Sequence, residues 1–190
     1  MSTVLGKSQF TPADVLSLSG DERFELADGQ LVRKEMSALA AVVASRINRR
    51  LGNIVEPQAL GTVFTSDASY RCFPEEPDRV RRPDVSFIDR SRMRPEYLEG
   101  HVPIAPDLAV EVASQSDLFI DVRRKAGEYV RAGVRLVWIV NPEEREIQVF
   151  RANGTYLLVQ NGDSLDGEDV VPGFRCPLAE IFQPPPMAGQ

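Results

Sequence analysis

The run from Pro106 to Pro142 constrains this chain most. It reads PDLAVEVAS, then a helical stretch, then VRLVWIVNP. Leu108 to Val112 has the apolar character of a buried strand. Asp121 to Ala132 carries Val122, Ala126, Tyr129 and Val130 at helical spacing and stops near Gly133. Two strands of one sheet joined by a helical crossover run parallel. VRLVWIVNP is almost wholly apolar, so it is expected at the centre of the sheet, covered on both faces and with Trp138 in the core.

The remaining sequence supplies the rest of the sheet. FTPADVLSLSG predicts a short helix capped by Thr11, with Pro12 in its first position. ERFELADGQLVRKEM predicts a hairpin: Phe24 to Leu26, a turn at Ala27-Asp28-Gly29, then Gln30 to Lys34. Ser37 caps a longer helix with an apolar stripe of Leu39, Val42, Val43, Ile47, Leu51 and Ile54. Arg46, Arg49 and Arg50 form its solvated face, and Gly52 marks its end. TVFTSDA, SYRCF and RPDVSFID read as strands, and EIQVFR with TYLLVQ as a hairpin. GDSLDGEDVVPGFRCPLAEIF closes the fold. The predicted class is α/β (an α+β mixed sheet): a central mixed β-sheet flanked by helices, with an extra N-terminal hairpin. Residues 1–182 are expected to form one domain and 183–190 a disordered tail.

Composition narrows the chemistry. One histidine, His101, excludes His-rich metal centres and disfavours a Ser-His-Asp triad; it is expected to be a plain surface residue. Two cysteines, Cys72 and Cys176, without a CxxC pattern give neither a disulfide framework nor a zinc set. No apolar run is long enough for a bilayer, and MSTVLGKSQF lacks a signal-peptide core, so the expectation is a cytoplasmic protein without a membrane partner. The net charge of -6 argues mildly against sequence-independent binding of nucleic acid through phosphate neutralisation alone.

Glu111 is the anomaly in this picture, because an ionised carboxylate inside an apolar strand needs compensation. Strand alternation puts Leu108, Val110 and Val112 on one face and Ala109, Glu111 and Ala113 on the other. The small alanines leave space beside the carboxylate for an ion and its waters. Asp84, directly after Pro83 at the start of RPDVSFID, converges on Glu111 if the two strands are neighbours. Two carboxylates held close repel, and a divalent ion relieves that repulsion; hard oxygen ligands select Mg2+ or Mn2+. Lys125 borders the buried stripe of its helix, within reach of the acids, where an ammonium can orient a water or stabilise phosphate charge. Without a metal, Glu111 would pair with Arg82 or Lys125, and Lys125 with Asp121 and Glu128.

RPDVSFI, PDLAVEVAS and DVRRKAGEYVRAGVRLVWIVNP, in this order, resemble the restriction-endonuclease-like family of the PD-(D/E)XK nuclease superfamily. The resemblance extends from ERFELADGQLV to PGFRCPLAEIF. It implies a restriction-endonuclease-like core and a metal-dependent endonuclease acting on DNA, with Mg2+ as cofactor and Mn2+ as substitute. Asp84 matches the motif aspartate and Glu111 the glutamate; these are the implied metal ligands. Ala113 stands where the superfamily places its lysine, and Lys125 matches a lysine that has migrated to the following helix. An upstream acid is supplied by Glu25 or by Glu35, with Glu25 favoured. Many members also carry a histidine at the start of the first long helix, and this chain has none there.

The resemblance implies DNA as partner, and a homodimer suits an enzyme that cuts both strands. Arg79, Arg81 and Arg82 before Asp84, and Arg90, Arg92 and Arg94 after its strand, are expected to bind phosphates. Ser114 and Gln115 could touch a bound water or begin a turn. The displaced lysine and the negative charge keep a second reading open: a catalytically inactive nuclease fold serving as a DNA-binding or protein-assembly module. A two-carboxylate glycosidase is disfavoured by an aromatic content of 7%.

Overall fold

The computed structural model describes residues 9–18, 23–113, 119–160 and 162–184. In chain order they form α1 (Pro12–Ser17), β1 (Phe24–Ala27), β2 (Gln30–Arg33), α2 (Ala38–Val55), β3 (Gly61–Thr65), β4 (Val85–Asp89), a 3-10 turn at Pro95–Leu98, β5 (Leu108–Val112), α3 (Phe119–Arg131), β6 (Leu136–Asn141), β7 (Glu146–Arg151), β8 (Tyr156–Val159), β9 (Ser164–Asp166), β10 (Arg175–Pro177) and α4 (Leu178–Ile181). The main sheet has six strands in the order β3-β4-β5-β6-β7-β8. Only β5 and β6 pair in parallel, which is the crossover the sequence requires; the remaining pairs are antiparallel. A mixed sheet with helices is therefore the observed architecture.

Each face of this sheet has its own core. Val85, Phe87, Leu108, Val110, Leu136 and Trp138 pack against the inner side of α2. Ala109, Val137 and Ile139 lie opposite, against Ala126 and Tyr129 of α3. Strand alternation thus sorts the residues as expected. Trp138 is fully buried, with the Phe174 ring tilted against it at a centroid distance of 5.5 Å.

The hairpin β1–β2 stands apart from the main sheet and turns through Asp28 and Gly29, both at positive φ (52° and 72°). Two such residues in succession are what a two-residue hairpin turn requires. Phe24, Leu26 and Leu31 bury one face of the hairpin against Val15 and Val80. Reciprocal backbone bonds of 2.9 Å between Leu26 and Val80 fasten it to the segment that leads into β4.

Several expectations need correction. SYRCF is not a strand: Tyr70 makes single bridges to Arg81 and Val102. Helix α2 continues past Gly52 to Val55, because Glu56 N–H still finds the Gly52 carbonyl at 3.0 Å. Leu39 is exposed rather than part of the buried stripe. Arg46 and Arg50 are not a merely solvated face. Arg46 donates to the Ile181 carbonyl at 3.0 Å, and Arg50 pairs with Glu180, so both fasten α4 to α2. His101 is half-buried, with its ring nitrogens on Ser69 Oγ at 2.7 Å and the Pro12 carbonyl at 2.8 Å. It joins α1 to the loop before β5. The proposed tail from residue 183 lies outside the described residues from 185 onward, as do Ser114 and Gln115.

Candidate active site

The antiparallel register of β4 on β5 pairs Val85 with Val110 and Ser86 with Ala109. Asp84 directly precedes Val85, and alternation puts it on the face of Ser86 and Ala109, which Glu111 shares, so the two acids meet although 27 positions separate them. Asp84 N–H donates to the Val110 carbonyl at 2.8 Å, a bond one residue out of the Val85–Val110 register that still fastens the approach to β4 onto β5.

Each of the two carboxylates is held by one oxygen. Asp84 Oδ2 accepts from Val112 N–H at 2.7 Å. Glu111 Oε1 accepts from the Tyr129 hydroxyl at 2.7 Å. The other oxygens converge on one ammonium: Lys34 Nζ lies 2.9 Å from Asp84 Oδ1 and 3.1 Å from Glu111 Oε2. Lys34 also donates to the Arg82 carbonyl. Asp84 Oδ1 is buried and takes no well-aligned hydrogen bond, so among the described residues the Lys34 charge is what compensates it.

Lys125 approaches from α3. Its Nζ is 3.0 Å from Glu25 Oε2 and 3.8 Å from Glu111 Oε2. Glu25 uses both oxygens: Oε1 accepts from Arg82 N–H at 3.1 Å, and Oε2 accepts from Arg81 at 2.9 Å and forms the ion pair with Lys125. Arg81 in turn reaches Glu128 at 2.7 Å, and Glu128 meets Arg79 at 3.0 Å. The result is a continuous chain of alternating charge: Arg79, Glu128, Arg81, Glu25, Lys125, Glu111, Lys34, Asp84. Charges this deep persist only when each is paired.

The surroundings tune these groups in opposite directions. Burial raises the pKa of Asp84, and the charge of Glu111 adds to this against the opposing pull of Lys34 and the Val112 amide. Burial would raise Glu25 too, but Lys125, Arg81 and Lys34 together hold it well below the usual carboxylate range. Burial would lower Lys125 and Lys34; Glu111 is the strongest of the acids that keep both above the ordinary lysine value. Burial and then the Glu111 charge hold the Tyr129 phenol far up, so it remains a donor.

A cleft of about 200 Å³ opens over this cluster, lined by Glu25, Lys34, Asp84, Glu111 and Lys125, with Arg33, Glu35 and Arg124 around them. The sequence-derived set Asp84, Glu111, Lys125 and Glu25 is thus brought together. Glu35 is exposed and faces Arg33 at 3.7 Å. Lys34 escaped sequence reasoning, although the hairpin register held the signal. Glu25 pairs with Val32, so alternation carries Lys34 to the face of Glu25.

Other expectations hold in part or fail here. The room expected over Glu111 is there in part: Ala109 is fully buried beside Tyr129, and the open side is the cleft shared with Asp84, Lys34 and Lys125. Glu111 pairs with Lys34 more closely than with Lys125, and Arg82 instead binds the Phe24 and Asp67 carbonyls. Arg79 and Arg81 are spent on buried carboxylates and do not present themselves to a phosphate. Arg92 pairs with Asp107 at 2.7 Å, at the end of β5 remote from Glu111, and Arg90 and Arg94 belong to the same end of β4.

Asp84 Oδ1 and Glu111 Oε2 form a donor set that fits a hard divalent ion. Magnesium is usually held by one or two carboxylates, with waters and substrate phosphate completing the shell. Among the described residues no group of three or more His, Cys, Asp or Glu side chains converges as a metal site. Any ion here would therefore keep an open shell.

The six-stranded mixed sheet with helices on its faces has the architecture of the restriction-endonuclease-like fold class. Residues 12–179 match the Uma2 family, described as "Putative restriction endonuclease", and the chain belongs to that family. A crystal structure described as "a putative nuclease belonging to DUF820", from Anabaena variabilis ATCC 29413, superposes with a TM-score of 0.77 at 19% identity. The alignment covers 91% of this chain and 97% of that one, and establishes a shared fold. No curated protein matches. Among the described residues no helix is long and apolar enough to cross a membrane.

Proposed function

We propose that this chain is a metal-dependent endonuclease that hydrolyses DNA phosphodiester bonds, with Asp84 and Glu111 as ligands of Mg2+, for which Mn2+ substitutes. The observation that carries this reading is the division of labour within each carboxylate. One oxygen is tied to the protein, and the other faces a shared cation position at the floor of a cleft. Family membership supports the reaction class and DNA as the substrate.

A bound divalent ion supplies Lewis-acid polarisation of the scissile phosphate and a water of lowered pKa. The protein's own groups do the rest. Tyr129 and the Val112 amide fix the two ligands before metal arrives, which reduces the ordering cost of assembling the site. Lys125 keeps its proton because Glu111 and Glu25 outweigh burial. Its ammonium is placed to donate to a phosphoryl oxygen or to the attacking water. Glu25 acts through Lys125 as a positioning residue. Arg33 and Arg124 at the cleft wall supply positive charge for the strand backbone.

The test is conversion of supercoiled plasmid to nicked and linear forms with Mg2+ and with EDTA. Wild type is expected to cut only with metal, and Asp84→Asn and Glu111→Gln are expected to lose at least 100-fold of the rate, on the order of what removing a transition-state contact costs. Cutting by either variant at the wild-type rate would overturn the assignment.

A further inference from the structure

Lys34 is the group the sequence did not single out, and it occupies the most informative place in the molecule. Its ammonium is equidistant, within 0.2 Å, from the two free acid oxygens (2.9 and 3.1 Å). Its side chain is only 10% exposed. It arrives from the end of β2, on a hairpin that is not hydrogen-bonded into the main sheet, whereas its two partners sit on the sheet itself. The Lys34 amide extends the hairpin by one bond to the Arg23 carbonyl at 2.8 Å, so the backbone is anchored while the side chain is a flexible stem.

We propose that Lys34 is a built-in competitor for the divalent ion: it seats its ammonium where the metal belongs and must withdraw for the metal to bind. This rests on the assignment of Asp84 and Glu111 as metal ligands. Both cations require the same two oxygens, and an ammonium beside a divalent ion a few ångströms away is strongly repelled. The seated lysine keeps the buried acids apart in charge terms, so the apo site is stable without metal. Between the two acids one positive charge gives way to two, while the withdrawn ammonium stays on the protein, so the site gains positive charge that the negative charge of a phosphodiester balances. Metal occupancy is thereby favoured when substrate is present.

The experiment measures Mn2+ affinity by titration of the free-ion EPR signal in wild type, Lys34→Met and Lys34→Arg. Lys34→Met is expected to bind about tenfold tighter or more, because the competing charge is gone. Lys34→Arg keeps the charge and is expected to bind no tighter than wild type. Melting in EDTA and in Mn2+ accompanies the titration: Lys34→Met is expected to melt lower than wild type in EDTA and to recover more of its Tm with Mn2+. A further readout uses wild type alone, so that a variant that fails to fold leaves the question decidable. The Lys34 ammonium is expected to give a slowly exchanging 15N-correlated NMR signal that disappears when Mg2+ is added. Equal Mn2+ affinity in wild type and Lys34→Met, or an ammonium signal unchanged at saturating Mg2+, overturns the competition while leaving Asp84 and Glu111 as ligands. Absence of Mn2+ binding in both proteins overturns the competition and the metal-site assignment together, and leaves a purely structural ion triad.

Discussion

The Tyr129 hydroxyl donates a 2.7 Å hydrogen bond to Glu111 Oε1, the oxygen that Lys34 leaves free. A residue on α3 thus aims a carboxylate on β5. Tyr129→Phe removes the donor and leaves a buried oxygen without a partner, which costs about 1–3 kcal/mol. Urea unfolding measures it. The same variant is expected to weaken Mn2+ binding, because Glu111 loses its orientation. A neutral result in both measurements would mean that the bond does not aim the carboxylate.

Arg81 sits between Glu25 and Glu128, at 2.9 and 2.7 Å, and is almost completely buried. Arg81→Met leaves two buried carboxylates short of a partner, and the expected loss is about 3–5 kcal/mol. Arg23 faces Asp67 at the same kind of distance, 2.7 Å, but both side chains are largely exposed. Arg23→Ala is expected to cost about 0–1 kcal/mol. Similar losses in the two variants, measured by urea denaturation, would contradict the assignment of stability to the buried chain of charges.

Glu25 predicts the acid limb of stability. Its folded pKa lies below the unfolded value of 4.5, since Lys125, Arg81 and Lys34 outweigh burial. Its contribution is therefore complete above that value and is lost as pH falls toward the folded pKa. Asp84, shifted up, works in the opposite sense. The difference in unfolding free energy between wild type and Glu25→Gln isolates the Glu25 part. It is expected to be constant between about pH 6 and 7.5 and to shrink below about pH 4.5. A gap that stays constant down to about pH 3.5 would contradict the depressed pKa.

Gly61 opens β3, where the chain passes very close to β4. A Cβ there would fall 2.1 Å from the Ile88 carbonyl oxygen and 2.7 Å from the Phe87 ring. The backbone oxygen cannot move without breaking the ladder that carries Asp84. Gly61→Ala is expected to lower stability by about 1–3 kcal/mol or more. Gly154, with nothing within 4 Å but a φ of 81°, tests backbone strain alone. Thermal melts of the two variants separate crowding from strain; an unchanged Tm for Gly61→Ala would show that β3 can shift away.

The sheet was legible because its strongest signals are local and periodic. Leu108–Val112, the helix after it and Leu136–Asn141 declare a parallel pair by hydrophobicity alone. Asp84 and Glu111 were legible once those strands were neighbours. Lys34 was not singled out, because its role depends on where a separate hairpin docks, through Leu26 and Val80. Arg79 and Arg81 looked like phosphate ligands because sequence shows charge but not burial; the carboxylates that claim them come from β1 and α3. Of the room inferred beside Glu111, the Ala109 side is taken by Tyr129 of α3, and the rest belongs to the cleft over the acids.

We propose that Asp84 and Glu111 share one divalent ion. Diffraction from crystals grown with Mn2+, collected at a wavelength where manganese scatters anomalously, tests it most directly. The account predicts a single strong anomalous peak in contact with Asp84 Oδ1 and Glu111 Oε2, with the Lys34 ammonium displaced from both. Lys34 still seated between the two acids, with no anomalous density in the cleft at saturating Mn2+, would contradict it.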